Sequence, residues 1–487
     1  MIDLVFLIPV VAAVLCVVLR KHTRTVEVLA SVSVLLSLLF LLLAASSSDM
    51  FTKPVSGFYG LLYLDPLGFL FTLMVVAVTF FIMVYSVGYL REEIKEHEFT
   101  EDRLWRYYSL LLIFMACMVL VTMASNLLTI WVALEATTLT SVFLISFYDT
   151  KESLEAAWKY FIICSLGITL ALVGIIILAY GQQQAGLPVD LNIFSMLQNS
   201  NSILPLYLKL AFAFIFVGYG TKMGLVPLHE WLPDAHSQAP TPVSAILSGV
   251  LLSTAFYAIL RVYMLLMQNS AVSSFASTLF IAFGLVSLAF AALRLFSQSN
   301  YKRLLAYSSI ENMGIIALAV GIGGPLGLFA ALFLVIAHSL SKPLAFLVGG
   351  IASLKFGTKE ISKIGGIARN VPLLGSLFIL ANIGVAGSVP FGTFVAEIAL
   401  LAAALYAGHF IIAILIVIFT TIAFGNMLFK SSGMAFGETI TKPGKYSPDL
   451  ATMACVGCLL LLAIFSGFLT PGPLIGLVNS AVAVIMG

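Results

Sequence analysis

Lys222 and Glu397 each lie in a long apolar segment broken by proline, and the two segments occupy corresponding places in the two halves of the chain. An ionisable group deep in a bilayer costs about 2.5–3.5 kcal/mol on insertion scales, so it faces a bundle interior or a water-filled path and marks function by default. Glu135 lies near the middle of segment 126–148, with Thr137, Thr138, Thr140 and Ser141 close by. His338 precedes Lys342 by one helical turn. Glu135, Lys222, His338, Lys342 and Glu397 thus form a sparse line of titratable groups in an apolar medium, the pattern of a proton relay. A static salt bridge from Glu135 to a lysine of another helix is the competing reading.

The breaks sharpen this. Lys222 lies about 20 Å inward of Lys209 at helical rise, too deep to snorkel back. Gly224, Pro227, Pro233, Pro240 and Pro242 follow it, freeing backbone groups that only a protein- or water-lined cavity can satisfy. Glu397 follows Gly387-Ser388-Val389-Pro390, and Pro343 removes a backbone hydrogen bond beside Lys342. Other groups carry two readings. Glu311 is either an access group or a packing acid bonded to Asn312. Lys159, four residues after Glu155 and beside Trp158, is an interfacial ion pair or a relay member. His229 and His236 flank Trp231-Leu232-Pro233-Asp234 and either line the path or cap an interface. Lys209 and Arg261 fall near outer helix ends, where long side chains snorkel, and Lys53 is a loop cation.

Other motifs are weak. Cys455 and Cys458 form a C-x-x-C without companion ligands, and all five cysteines read as small apolar packing residues. No metal site, cofactor site or catalytic residue is expected. Gly218-Tyr219-Gly220 followed by Gly224 misses the dinucleotide spacing and suits close helix packing.

The elements that must position these groups follow from composition. With 61% hydrophobic and 9% charged residues in 487, the chain lies far from soluble domains, which carry about 25% charged residues. It reads as an all-α integral membrane protein. Apolar runs long enough to span fall near 4–19, 26–45, 65–88, 107–124, 126–148, 155–180, 205–226, 241–265, 272–296, 302–322, 325–350, 372–404, 408–430 and 449–469. That is about 14 transmembrane helices. The tail Leu474–Met486 is too short to span and is expected at the interface or against the bundle. The run from Leu4 lacks a positive leader and reads as a span, not a signal peptide. Cations cluster in alternate loops, including Arg91, Lys95, Arg103 and Arg106, then Lys355, Lys359, Lys363 and Arg369. Positive loops stay cytoplasmic, so both termini should face outward. The net charge of +2 is accounted for by topology and implies no nucleic-acid partner.

The stretch Lys222-Met223-Gly224-Leu225-Val226-Pro227-Leu228-His229-Glu230-Trp231-Leu232-Pro233-Asp234-Ala235-His236, continuing through Ala239-Pro240-Thr241-Pro242-Val243-Ser244, resembles the signature of antiporter-like subunits of complex I, Mrp antiporters and energy-converting hydrogenases. Residues 155–160, 304–314 and 321–327 look most like hydrogenase-4 component F and its formate hydrogenlyase relatives. The resemblance covers essentially the whole chain. It implies N-terminal helices 1–3 (residues 1–106) and two inverted five-helix repeats, helices 4–8 (107–270) and 9–13 (271–430). Helices 7 and 12 would be broken, and a C-terminal loop with helix 14 (431–487) would follow. Residue by residue, the family's fifth-helix acid matches Glu135 and its seventh-helix lysine Lys222. The eleventh-helix pair matches His338 and Lys342, and the twelfth-helix group matches Glu397. Where relatives carry an eighth-helix lysine or histidine, this chain has Ser248 and Ser253, so water held by hydroxyls would have to bridge.

What the resemblance implies is a non-catalytic subunit that moves H⁺ or Na⁺ within a redox complex of the prokaryotic cytoplasmic membrane, foremost a group 4 [NiFe] hydrogenase. The NiFe centre and iron–sulfur clusters would sit in partner subunits of a soluble arm, beside sister membrane subunits in the lipid bilayer. A Mrp-type Na⁺/H⁺ antiporter subunit, or one of an NADH, reduced-deazaflavin or ferredoxin dehydrogenase, is the alternative. A structural membrane subunit without transport is the second. The cation pattern sets the first test: an impermeant thiol reagent applied to intact cells should label Ser200→Cys, in segment 183–203, and leave Glu96→Cys unlabelled.

Overall fold

In lipid every backbone polar group must find a partner within its own segment, which leaves helices as the spanning form for a chain of this composition. A computed structural model describes residues 1–46 and 54–487; Lys53 lies outside them. Helices α1 (Ile2–Val18) and α2 (Thr23–Ser46) precede a small antiparallel hairpin, β1 (Val55–Gly57) with β2 (Leu62–Leu64). Next come α3 (Pro66–Lys95), α4 (Leu104–Met123), α5 (Leu127–Ile145), α6 (Lys151–Gln184) and a short α7 (Ile193–Asn199). Side-chain caps set several starts. Asp65 Oδ1 accepts from Gly68 N at 2.7 Å before α3, and Asn126 accepts from Leu128 N at 2.8 Å before α5.

The seventh span is broken as expected. Helix α8 (Pro205–Met223) stops, a turn follows, and α9 (Trp231–Gln238) resumes. The next span runs through α10 (Thr241–Ile246), a π-helical turn at Leu247–Leu251 and α11 (Leu252–Met267). Helices α12 (Ser270–Arg294), α13 (Tyr301–Ile322), α14 (Gly324–Phe356) and a one-turn α15 (Ile367–Asn370) lead to the second break, between α16 (Pro372–Val385) and α17 (Gly392–Tyr406). Then come α18 (Phe410–Phe436), α19 (Leu450–Phe468) and α20 (Gly472–Met486).

Twelve helices among the described residues are long and apolar enough to cross a membrane. The 17-residue α1 and the α16–α17 pair account for the other two expected spans. The tail helix α20 packs on α3, α11 and α14, with Val478, Ala481 and Ile485 buried.

Burial separates the centre from the rim. The most apolar stretches of Thr241–Met267 and Gly324–Phe356 are wholly buried and that of Tyr301–Ile322 is 94% buried, against 28% for α18 and 33% for α2. The wall faces lipid, while α10–α11, α13 and α14 form a buried centre, out of reach of bulk solvent, in which a charge needs partners from the protein or from bound water. Glycines let the helices close up. A Cβ on Gly174 of α6 would lie 2.6 Å from Ala211 O of α8, and one on Gly284 of α12 would lie 2.8 Å from Gly314 O of α13. Gly218 meets the Gly167 backbone in the same way, so the Gly218-Tyr219-Gly220 run serves packing.

Two expectations change. Arg261 does not snorkel. It is 1% exposed and holds Asp65 through two 2.7 Å bonds, and its Nε donates at 2.9 Å to Tyr257 OH, which donates in turn to Thr122 O. The helix-end position was read correctly, but Asp65, the cap of α3, supplies a buried counter-charge that removes any need to reach water. Ser200 is 1% exposed, so its exposed neighbour Asn201 is the better labelling probe. Breaking a buried pair strands one charge at a cost of about 3–5 kcal/mol. Asp65→Ala should therefore lower the unfolding temperature of the purified protein sharply, while Asp102→Ala, at an exposed loop position, should leave it nearly unchanged.

Candidate functional site

Helix α8 ends because Gly224 takes a left-handed conformation (φ 87°). This lets Leu225 N reach back to Gly220 O at 2.9 Å and closes the last carbonyls. Lys222 sits in that last turn, where the carbonyl end of the helix favours a cation. Its side chain is fully buried, and Nζ donates to Leu134 O and to Thr138 Oγ1 of α5, each at 2.6 Å. Glu135 is not its hydrogen-bond partner. Glu135 Oε1 accepts from Ser165 Oγ of α6 at 2.9 Å, and Oε2 is buried without a partner among the described residues. The break beyond Lys222 is pinned by Trp231 Nε1, which donates to Thr221 O at 2.9 Å, and by Ser287 Oγ, which accepts from Val226 N at 2.9 Å.

A second node joins α10–α11, α13 and α14. The π-turn leaves carbonyls of Ser248 and Gly249 turned toward α14. His338 Nε2 lies 3.0 Å from Ser248 O, and Ser339 Oγ donates to Gly249 O at 2.8 Å. The other ring nitrogen of His338 lies 3.1 Å from Asn312 Nδ2, and the Ser248 and Ser309 hydroxyls are 2.7 Å apart. Lys342, one turn on, donates to Leu305 O at 3.3 Å and lies within electrostatic reach of Glu311. Glu311 therefore faces the node, and Asn312 bonds His338 rather than Glu311. Ser253 Oγ is buried without a partner among the described residues. A buried hydroxyl of that kind is ordinarily satisfied by bound water.

Glu397 follows the second break. Its carboxylate lies over Gly387 (φ 82°), where a Cβ would stand 2.8 Å from Glu397 Cδ, and it is within electrostatic reach of Glu311. Among the described residues it has no hydrogen bond or ion pair. Both breaks contain a left-handed glycine, Gly224 or Gly387, three residues before a cis Val–Pro bond. Counting from Pro227 and Pro390, Glu397 corresponds to Asp234 and not to Lys222, which lies on the other side of its break.

Asp234 has a different setting. It accepts from Lys159 Nζ at 3.3 Å and from Arg303 Nη1 at 2.5 Å, while Lys159 also pairs with Glu155 at 2.6 Å. Lys159 is half exposed in this interfacial network, away from the buried line. His229 packs edge-on against Phe290, with Nδ1 3.3 Å from Pro227 O. His236 is fully buried, stacked on Phe346, and neither ring nitrogen has a partner among the described residues. Sequence reasoning missed Glu93, which lies beyond the apolar run 65–88, and Lys302, the first residue of the run 302–322, although both are buried; no spacing signal marks either one out. Among the described residues no group of three or more His, Cys, Asp or Glu is arranged to hold a metal ion.

Fold and site together define a polytopic helical membrane protein with paired broken helices around a buried line of ionisable side chains. The chain belongs to the NADH:quinone oxidoreductase/Mrp antiporter transmembrane family, whose sequence profile matches residues 124–423. The profile of the complex I chain 5 N-terminus matches residues 61–100. Over 405 residues the chain is 38% identical to a hydrogenase-4 component F homolog of Methylacidiphilum infernorum, covering 82% of this chain and 83% of that protein. In fold it is similar to a chain of the membrane-bound sulfane sulfur reductase, an archaeal respiratory membrane complex. That match has a TM-score of 0.87 at 23% identity, covering 100% of this chain and 97% of the other. A chain of respiratory complex I from Thermus thermophilus aligns with a TM-score of 0.78 at 25% identity, over 97% of this chain and 98% of that one.

Hydrogen bonds to charged groups contribute about 1.5–3 kcal/mol. Thr138→Val leaves Lys222 with one acceptor and should destabilise the purified protein by about that amount in thermal unfolding. Thr140→Val, which loses only bonds to its own helix, should be nearly silent.

Proposed function

We propose that this chain translocates protons as a non-catalytic subunit of a membrane-bound redox complex, through Glu135, Lys222, His338, Lys342, Glu311 and Glu397. The observation that carries the reading is the setting of Lys222: a wholly buried ammonium at a helix break, held by neutral oxygens instead of a fixed carboxylate. A structural lysine at that depth would be expected in a closed ion pair such as Arg261 makes with Asp65. One held by a carbonyl and a hydroxyl can lose its proton without stranding a partner charge. The matched breaks support reading residues 107–270 and 271–430 as inverted repeats, and the cation-rich loops support a cytoplasmic-membrane orientation with both termini outward.

The energetics are adequate. Moving one proton against about 150 mV requires about 3.5 kcal/mol. Two unit charges brought to about 4 Å apart at an effective dielectric near 20 interact by roughly 4 kcal/mol, so moving one carboxylate up to or away from a buried lysine is enough. The extended likeness to the hydrogenase-4 component F homolog favours a group 4 [NiFe] hydrogenase, with the NiFe centre and iron–sulfur clusters in partner subunits. The family profile equally describes Mrp antiporters, and purifying the chain with its partners separates the two: a nickel-containing subunit supports the hydrogenase, and membrane subunits alone support the antiporter.

Transport is tested by proton uptake into inverted vesicles driven by the complex's own redox reaction, with membrane abundance as control. Lys222→Met keeps most of the apolar volume and should abolish uptake. Lys222→Arg should also fail, because arginine does not release its proton. Glu397→Gln should behave alike, and Lys209→Met should be nearly silent. Full pumping by Lys222→Met at normal abundance would show that the lysine is structural.

A further inference from the structure

A cavity of about 430 Å³ opens on the cation-rich face of the bundle between the ends of α3, α9 and α14. Tyr89, Glu93, Tyr148 and Lys359 line it, with Glu96 at its exposed rim. Glu93 is 5% exposed; Oε1 accepts from Tyr148 OH at 2.6 Å, and Oε2 is buried without a partner among the described residues. The charges that act on Glu93 are those of Lys302 and Lys359. Lys359 is at the surface, but Lys302 is 2% exposed and reaches inward, its Nζ donating to Ala239 O at 2.8 Å where α9 meets α10. His236 lies one turn before Ala239, within electrostatic reach of both Lys302 and Lys342. Its ring stacks on Phe346, one turn after Lys342 on α14. The ionisable groups facing this string are Glu93, Tyr89, Tyr148, Lys302, Lys359, His236, Lys342, His338 and Glu311.

We propose that this cavity is the inlet through which protons from the cation-rich side reach Lys342, by way of Glu93, Lys302 and His236. The inlet rests on the transport reading above. Glu93 takes a proton from cavity water and returns to carboxylate on passing it to the neutral amine of Lys302. Lys302 passes one proton through a ring nitrogen of His236 to Lys342, so each donor ends one charge lower and each acceptor one higher. The orphan Oε2 of Glu93 and the two unpartnered nitrogens of His236 lie along this course. A purely architectural contact would have no use for them, since buried polar groups are ordinarily paired.

Glu93→Gln is the discriminating substitution, because its amide oxygen still accepts from Tyr148 while the group no longer carries a proton. In the assembled complex in inverted vesicles, it should slow redox-driven proton uptake at least tenfold at normal abundance, with Glu93→Asp retaining part of the rate. Lys95→Gln, exposed at the same end of α3 and outside the cavity, should stay within about twofold of the parent. Uptake by Glu93→Gln at the parental rate, with Lys222→Met inactive, overturns the inlet and leaves the transport reading standing. Full uptake by Lys222→Met overturns both. If Glu93→Gln fails to assemble, Glu96→Cys at the rim decides: a bulky impermeant methanethiosulfonate applied from the cation-rich side should block uptake, and undiminished uptake after complete modification overturns the proposal. Radioactive sodium uptake in place of the proton signal overturns the assignment to protons.

Discussion

An ammonium group in the middle of a hydrocarbon-thick bundle has no water to solvate it, so the protein must supply oxygen atoms at that depth. An intact helix uses one lone pair of each carbonyl for its own bonds. The acceptors left for a buried cation are the carbonyl end of an interrupted helix, side-chain hydroxyls, and the second lone pair of a neighbouring helix's carbonyls. Lys222 combines these sources, sitting at the carbonyl end of α8 and taking its hydrogen bonds from Leu134 O and Thr138 of the neighbouring α5. Gly224 and Pro227 make the interruption, and glycines at the α6–α8 contact let those two helices pack backbone to backbone beside it.

The centre of the molecule solves the same problem differently. Helices α10 and α11 are not broken but widened by a single π-turn, which presents two carbonyls to α14. His338 and Ser339 occupy them, and Asn312 orients the His338 ring from the other side. Ser248 thus contributes through its backbone as well as its hydroxyl, a role different from that of a titrating side chain in the eighth span. Between this node and Lys222 the chain offers the orphan hydroxyl of Ser253, placing the demand for water where the proposed relay is thinnest in protein groups.

The two breaks match in backbone and differ in charge. Asp234 and Glu397 hold the same position relative to their prolines, yet Asp234 is tied to Lys159 and Arg303, whereas Glu397 has no bound cation. One break is thereby braced electrostatically against α6 and α13. The other keeps a carboxylate free over a glycine that leaves room for it. An asymmetry of this kind gives a line of titratable groups a direction, since the group at one end can change protonation without breaking an ion pair.

Much of this was readable in the chain itself. Apolar run lengths and alternating loop cations determined the number of spans, because hydrophobic thickness is a one-dimensional constraint that sequence meets directly. Proline and glycine placed both breaks to within a few residues, since they act on local dihedral angles. Isolated ionisable residues in those runs marked Glu135, Lys222, His338, Lys342 and Glu397 as the ones needing an explanation. Partnership was not readable, because it depends on which helix faces which. Arg261 has the same local signature as a snorkelling cation, and only the approach of α3 brings Asp65 to it. Lys302 and Glu93 have the signature of loop charges, and only the packing of α3, α9 and α13 encloses them. Lys222 and Glu135 have the signature of an ion pair, but the rotation of α5 turns Thr138 and a carbonyl toward the lysine and the carboxylate toward Ser165. Charge and breaks are properties of the chain; what each charge is bonded to is a property of helix faces, which three-dimensional packing alone decided.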